Sequence, residues 1–65
     1  MQVEINGQTK ELDPGITIDK LLRQLRLTGP VAVELNKNIC PKSQHAHTLL
    51  KDKDSLEIVT IVGGG

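Results

Sequence analysis

Residues 56–62, LEIVTIV, are the most continuously apolar segment of the chain, and they constrain the fold more than any other stretch. So short a β-branched run reads as a strand rather than a helix. Strands this apolar tend to lie in the middle of a sheet, covered on both faces. The rest of the chain must then supply a strand along each of its edges and an apolar layer to lie against it.

The candidates for those parts follow in order. Val3 and Ile5 alternate with Gln2 and Glu4, the period of a strand with one buried face. Asn6-Gly7 comes next, and a type I′ turn needs positive φ at both central residues, so a hairpin is expected with a polar second strand over residues 8–12. Pro14-Gly15 breaks the ladder, because Pro lacks an N–H and Gly accepts turns that other residues resist. Thr17 is placed to cap a helix, with Asp19 in the first turn where the helix dipole favours negative charge. Ile18, Leu21, Leu22 and Leu25 then fall at i, i+3, i+4 and i+7 and make one apolar stripe. Asp19 can pair with Arg23. Lys20, Arg23 and Arg26 lie toward the other side, as a solvated face or, alternatively, a docking surface.

Gly29-Pro30 is expected to stop the helix. Val31, Val33 and Leu35 alternate with polar or small residues in a third strand, and residues 36–38 can turn it into a short strand at Ile39-Cys40 that Pro41 ends. Residues 42–50 read as irregular, with Leu49 or Leu50 dropping into the core, and Lys51-Asp52-Lys53-Asp54 reads as a charged turn. The order predicts an α+β fold: a mixed four- to five-stranded sheet with one main helix packed on one face, the plan of the ubiquitin-like β-grasp. Residues 1–62 would form this domain, and residues 63–65 a flexible glycine tail.

Size and composition narrow the function. A chain of 65 residues buries only about 60% of its unfolded surface, and no Phe, Tyr or Trp is present to line a pocket. A whole active site inside such a chain is not expected, and we look instead for a protein acted on or bound by larger partners. Eight Lys and Arg balance eight Asp and Glu, so no net field draws it to polyanions or membranes. Single-stranded nucleic acid lacks aromatic platforms on which to stack. One cysteine cannot make an internal disulfide, the first residues do not read as a signal peptide, and no apolar run approaches the ~20 residues of a membrane span. These readings together predict a cytoplasmic protein, monomeric on its own.

Three residues invite chemistry. Cys40, His45 and His47 carry zinc-binding groups, but they supply only three donors at a C-x4-H-x-H spacing that matches no standard structural site. The alternative is surface histidines beside a semi-buried thiol, with no metal bound. A Cys-His nucleophile would need an imidazole facing the sulfur, which sequence does not show. Asp52 and Asp54, interleaved with Lys, read as a solvated turn.

Gly63, Gly64 and Gly65 follow directly on the apolar strand. They read either as an inert end or as a substrate. Three extended residues span about 10 Å, and glycine, lacking Cβ, can thread a narrow channel while leaving its carbonyl open to attack from either side. An α-carboxyl is ionised at neutral pH and can attack an activated phosphate.

Asn6-Gly7, Thr17-Ile18 with Leu21-Leu22, Val31-Ala32-Val33-Glu34, Asn36, Ile39, Pro41, Leu56-Glu57-Ile58-Val59 and the terminal glycines stand in an order that resembles the ThiS family, the ubiquitin-like sulfur carriers of thiamine thiazole synthesis. The likeness covers essentially the whole chain. It departs at Lys53, where the family commonly has Gly, and at Leu35 and Cys40. The resemblance implies that an adenylyltransferase related to ubiquitin-activating enzymes uses MgATP to adenylate the Gly65 carboxylate. Sulfur from cysteine, passed through a persulfide donor, would displace AMP and leave a thiocarboxylate for thiazole synthase. The carrier would supply no catalytic residue and hold no permanent cofactor. Val59 and Ile61, on the strand face opposite Leu56 and Ile58, would form a partner-docking patch. Rival readings are the small subunit of molybdopterin synthase, a ubiquitin-like protein modifier, and a binding module with an inert tail.

Overall fold

The structure, a computed structural model, describes residues 1–61. Strand β1 (Gln2–Ile5) and strand β2 (Gln8–Glu11) form an antiparallel hairpin in which Ile5 faces Gln8 across a two-residue loop. Asn6 and Gly7 take φ of 50° and 83°, the positive values a type I′ turn demands. Helix α1 (Ile18–Gln24) follows, then β3 (Val31–Leu35), β4 (Asn38–Cys40), a 3-10 turn (Lys42–Gln44) and β5 (Ser55–Thr60). The strand order is β2-β1-β5-β3-β4, so the last strand occupies the centre of a five-stranded sheet. It runs parallel to β1 and antiparallel to β3.

Ile18, Leu21 and Leu22 of α1 are buried with Val3 and Ile5 of β1, Val33 of β3, and Leu56 and Ile58 of β5. Ile16 and Leu50 complete this cluster, and Leu25 is packed against it while remaining partly exposed. Of the adjacent pair Leu49 and Leu50, only Leu50 enters the core: it is 4% exposed and Leu49 is 57%. At the helix start, Thr17 Oγ1 accepts from Lys20 N–H as expected of a cap. The two N–H groups before it are also satisfied, because Ile18 N–H donates to Thr48 O at 3.1 Å and Asp19 N–H to His45 O at 3.0 Å. Residues 42–50 are therefore no idle loop. They strap the helix N-terminus and settle donors that a helix cannot settle itself.

Several sequence expectations need correcting. The helix ends at Gln24, well before Gly29-Pro30. Arg26 adopts φ of 59°, its N–H donates to Arg23 O, and Leu27 N–H donates to Leu22 O. These bonds make a complete Schellman motif in which Arg26 takes the left-handed position usually given to glycine, and the partly buried Leu27 packs against the core. Strand β2 stops at Glu11 and is exposed throughout. Strand β5 stops at Thr60, and Val62 lies outside the described residues. Its central place is as predicted, but its cover is one-sided: Leu56 and Ile58 are buried, whereas Glu57 and Val59 are exposed. A single helix covers a single face.

Candidate docking face and carrier end

The geometry around β5 begins with two asparagines. Both hairpin loops open on Asn at φ of 50°, Asn6 in β1–β2 and Asn36 in β3–β4. Asn6 Nδ2 donates to Ile58 O at 3.1 Å and Asn6 Oδ1 accepts from Ile58 N–H at 2.7 Å. Asn36 Oδ1 accepts from Ser55 N–H at 2.9 Å while its Nδ2 donates to Asp54 Oδ1 at 3.0 Å. Two turns, one on each side, thus hold the backbone of the central strand. A side-chain amide suits this task because it offers a donor and an acceptor together, and Asn tolerates the left-handed backbone that the turn imposes. Sequence reading assigned both residues to turns and missed their hold on β5, which depends on tertiary proximity.

Beyond Thr60, Ile61 N–H donates to Pro30 O at 2.9 Å, so the backbone is still tied at the last described residue. Gly63, Gly64 and Gly65 lie outside the described residues, as does the boundary expected at residue 62. Val59 and Ile61, assigned to the docking patch, are 60% and 52% exposed. Val59 stands opposite Ala32 and Glu57 opposite Glu34. Ile39, on β4 opposite Glu34, is 78% exposed. The sheet face away from the helix therefore carries three large apolar side chains among carboxylates.

The residues that invited metal or nucleophile chemistry are used otherwise. His45 is buried rather than on the surface, a correction to the expectation for both histidines, while His47 is exposed. The His45 Nε2 lies 3.0 Å from Cys40 O, and since a carbonyl can only accept, Nε2 carries the proton there. This bond fastens the strap over residues 42–50 to β4. The Cys40 Sγ, half-buried, lies 3.7 Å from Thr48 Oγ1. Among the described residues no group of three or more His, Cys, Asp or Glu is placed to hold a metal ion. A surface groove of about 460 Å³ runs under the helix end between Leu22, Leu27, Pro30 and Lys42. It contains the Asp19–Arg23 ion pair and His45, both already partnered. No described helix is long and apolar enough to cross a membrane.

A five-stranded mixed sheet with one helix on one face, ending in its central strand, is the ubiquitin-like β-grasp. The ThiS family model matches residues 3–65, and the chain belongs to that family, the sulfur carrier proteins of thiamine biosynthesis, which are not themselves enzymes. It is 33% identical to the sulfur carrier protein ThiS of Escherichia coli, with the whole of both chains covered. The crystal structure of the thiamine biosynthesis protein ThiS from Geobacter metallireducens superposes with a TM-score of 0.84 at 29% identity, again covering 100% of each chain. The thiazole synthase of Paramagnetospirillum magneticum is 41% identical over the full length of this chain, which spans 20% of that protein.

Proposed function

We propose that the chain carries sulfur as a thiocarboxylate on Gly65 and delivers it for thiazole formation. A partner adenylyltransferase, supplying MgATP, converts the Gly65 carboxylate into an acyl adenylate and releases pyrophosphate. The terminal sulfur of a cysteine-derived persulfide then attacks the acyl carbon, and AMP departs with the carboxyl oxygen. A thiol cleaves the resulting acyl disulfide, forming a disulfide with the donor's remaining sulfur and freeing the thiocarboxylate. Val59 and Ile61 dock the partner while the glycines occupy its channel. Gly65 lies four residues beyond Ile61, a reach of at most about 14 Å. The reaction takes place in the cytoplasm.

The observation that carries this reading is that the family match runs through residue 65 and so includes all three glycines. Thiazole synthase as the receiver is supported by the similar segment within the thiazole synthase of Paramagnetospirillum magneticum. The test is mass spectrometry of the intact chain after incubation with ATP, the adenylating enzyme and a sulfur source. The expected result is replacement of one oxygen by sulfur, mapped to Gly65, with none in a chain lacking Gly65. An unmodified wild-type chain would overturn the proposal. So would a deletion variant that gains sulfur at the wild-type rate, because misplacing a reacting group by ~1 Å can cost on the order of 100-fold.

A further inference from the structure

The charge on this molecule is balanced in number but not in space. Residues paired across a sheet project to the same side, so the register defines which residues share the uncovered face. Gln2 and Glu4 of β1 share it with Glu11 and Thr9 of β2. Ser55, Glu57 and Val59 of β5 share it with Ala32 and Glu34 of β3, and with Ile39 of β4 through Glu34. No Lys or Arg stands among these strand positions; Lys53, in the turn before β5, lines a shallow groove with Gln2, Glu4 and Thr9 at the β1–β2 side of the face, away from β3 and β4. The one strand cation, Lys10, is paired with Val3 and belongs to the other side. Lys20, Arg23 and Arg26 are exposed on or just beyond the helix.

Glu34 and Glu57 are directly opposite one another on neighbouring strands. Like charges in that relation destabilise a sheet. Among the described residues the ion pairs are Met1 with Glu11 and Asp19 with Arg23, so neither Glu34 nor Glu57 is ion-paired. The isolated domain thus bears a repulsion at the centre of its open face, flanked by the exposed Val59, Ile39 and Ile61.

We infer that this face is shaped for an adenylating partner whose docking surface is apolar and bears arginine or lysine opposite the Glu34–Glu57 pair. The inference rests on the adenylation reading above and specifies the chemistry of that partner. Complementary charge accounts for both observations, since it relieves the repulsion on binding and steers the encounter. A second copy of the chain is a poor occupant, because a two-fold contact through this face sets carboxylates against carboxylates.

The experiment is ATP–pyrophosphate exchange by the adenylating enzyme, with the full chain as the varied substrate, at several salt concentrations. For the double variant Glu34→Gln/Glu57→Gln, the carrier KM should rise roughly tenfold at low salt with kcat unchanged. Its KM should depend on salt less steeply than that of the wild type. Glu34→Lys/Glu57→Lys should raise KM further. Far-UV circular dichroism checks that both variants keep the fold, as exposed positions permit. If the wild type supports no exchange, the adenylation reading falls, and this inference with it. If the wild type is active but the Gln variant keeps its KM within about twofold, or the Lys variant binds better, only the charge inference falls. Wild-type self-association in sedimentation equilibrium that the Lys variant alters would assign the face to a second copy and overturn it as well.

Discussion

Asn6 grips Ile58 at both of its backbone polar groups, donating to the carbonyl at 3.1 Å and accepting from the N–H at 2.7 Å. Parallel pairing of β1 with β5 has just ended at Ile5 and Leu56, and Asn6 N–H donates to Leu56 O at 2.9 Å. The side chain carries the ladder one step past the point where the main chain turns away. Asn6→Gly keeps the left-handed backbone and removes only the clamp, and should cost about 1–3 kcal/mol for the groups left unpaired. Asn6→Ala should cost about 1 kcal/mol more, because it adds left-handed strain. Urea unfolding of both variants checks the order, and a Gly variant as stable as the wild type would show the clamp to be dispensable.

Leu49 and Leu50 are neighbours in sequence with opposite fates. Leu50→Ala should destabilise by about 2–5 kcal/mol, a large share of what a domain of this size possesses. Leu49→Ala should stay within about 0.5 kcal/mol of the wild type. Thermal melting of the pair is a direct test, and equal losses would mean that the strap is seated differently.

Lys37 and Lys53 hold φ of 70° and 72°, a conformation costing roughly 1–2 kcal/mol for a residue with a Cβ. Lys37→Gly turns the second hairpin loop into Asn-Gly, like the first. Lys53→Gly puts glycine at the left-handed position of the turn before β5. Each should stabilise by about 0.5–1 kcal/mol, the relief of strain less the added entropy of the unfolded chain. Denaturant midpoints read the change, and a loss of stability in both would contradict the left-handed assignment.

The Met1 amino group donates to Glu11 Oε2 at 2.7 Å and to Leu12 O at 2.8 Å. The hydrogen bond to Glu11, first, and the nearby carboxylates raise its pKa above the ordinary 8.0, against a smaller opposing effect of desolvation. A pKa raised on folding contributes stability that is fully present below the unfolded value and lost as pH climbs through the folded one. Glu11→Gln should therefore be less stable than the wild type at pH 7, with the gap closing at pH above 8. A gap independent of pH would assign the effect of Glu11 to something other than this charge.

Local signals carried most of the fold. Asn6-Gly7, the Thr17 cap and the alternations around Val3, Val33 and Ile58 are short-range patterns with one dominant structural outcome each, and all appear where expected. The helix end misled because Gly29-Pro30 is the stronger stop on paper, whereas Arg26 accepted left-handed strain once Leu27 could pack against the core. His45 misled because its burial depends on a carbonyl five residues away. Of the candidate site, the outward placing of Val59 beside the inward Ile58 was legible as an alternation. That Glu57 meets Glu34 was not, because alternation assigns a face but only register assigns a neighbour.

The central position of β5 bears on how such a chain is made. Both neighbours of this strand, β1 and β3, come from earlier parts of the chain, and neither touches the other in the sheet. Until residues 55–60 have been synthesised, the two hairpins have nothing between them to join, and the helix has only part of a sheet to lie on. Closure of the fold thus waits on the segment that supplies β5. Without β5 the chain has two hairpins and a helix but no sheet to unite them, and the open face that β1, β5 and β3 form together does not exist.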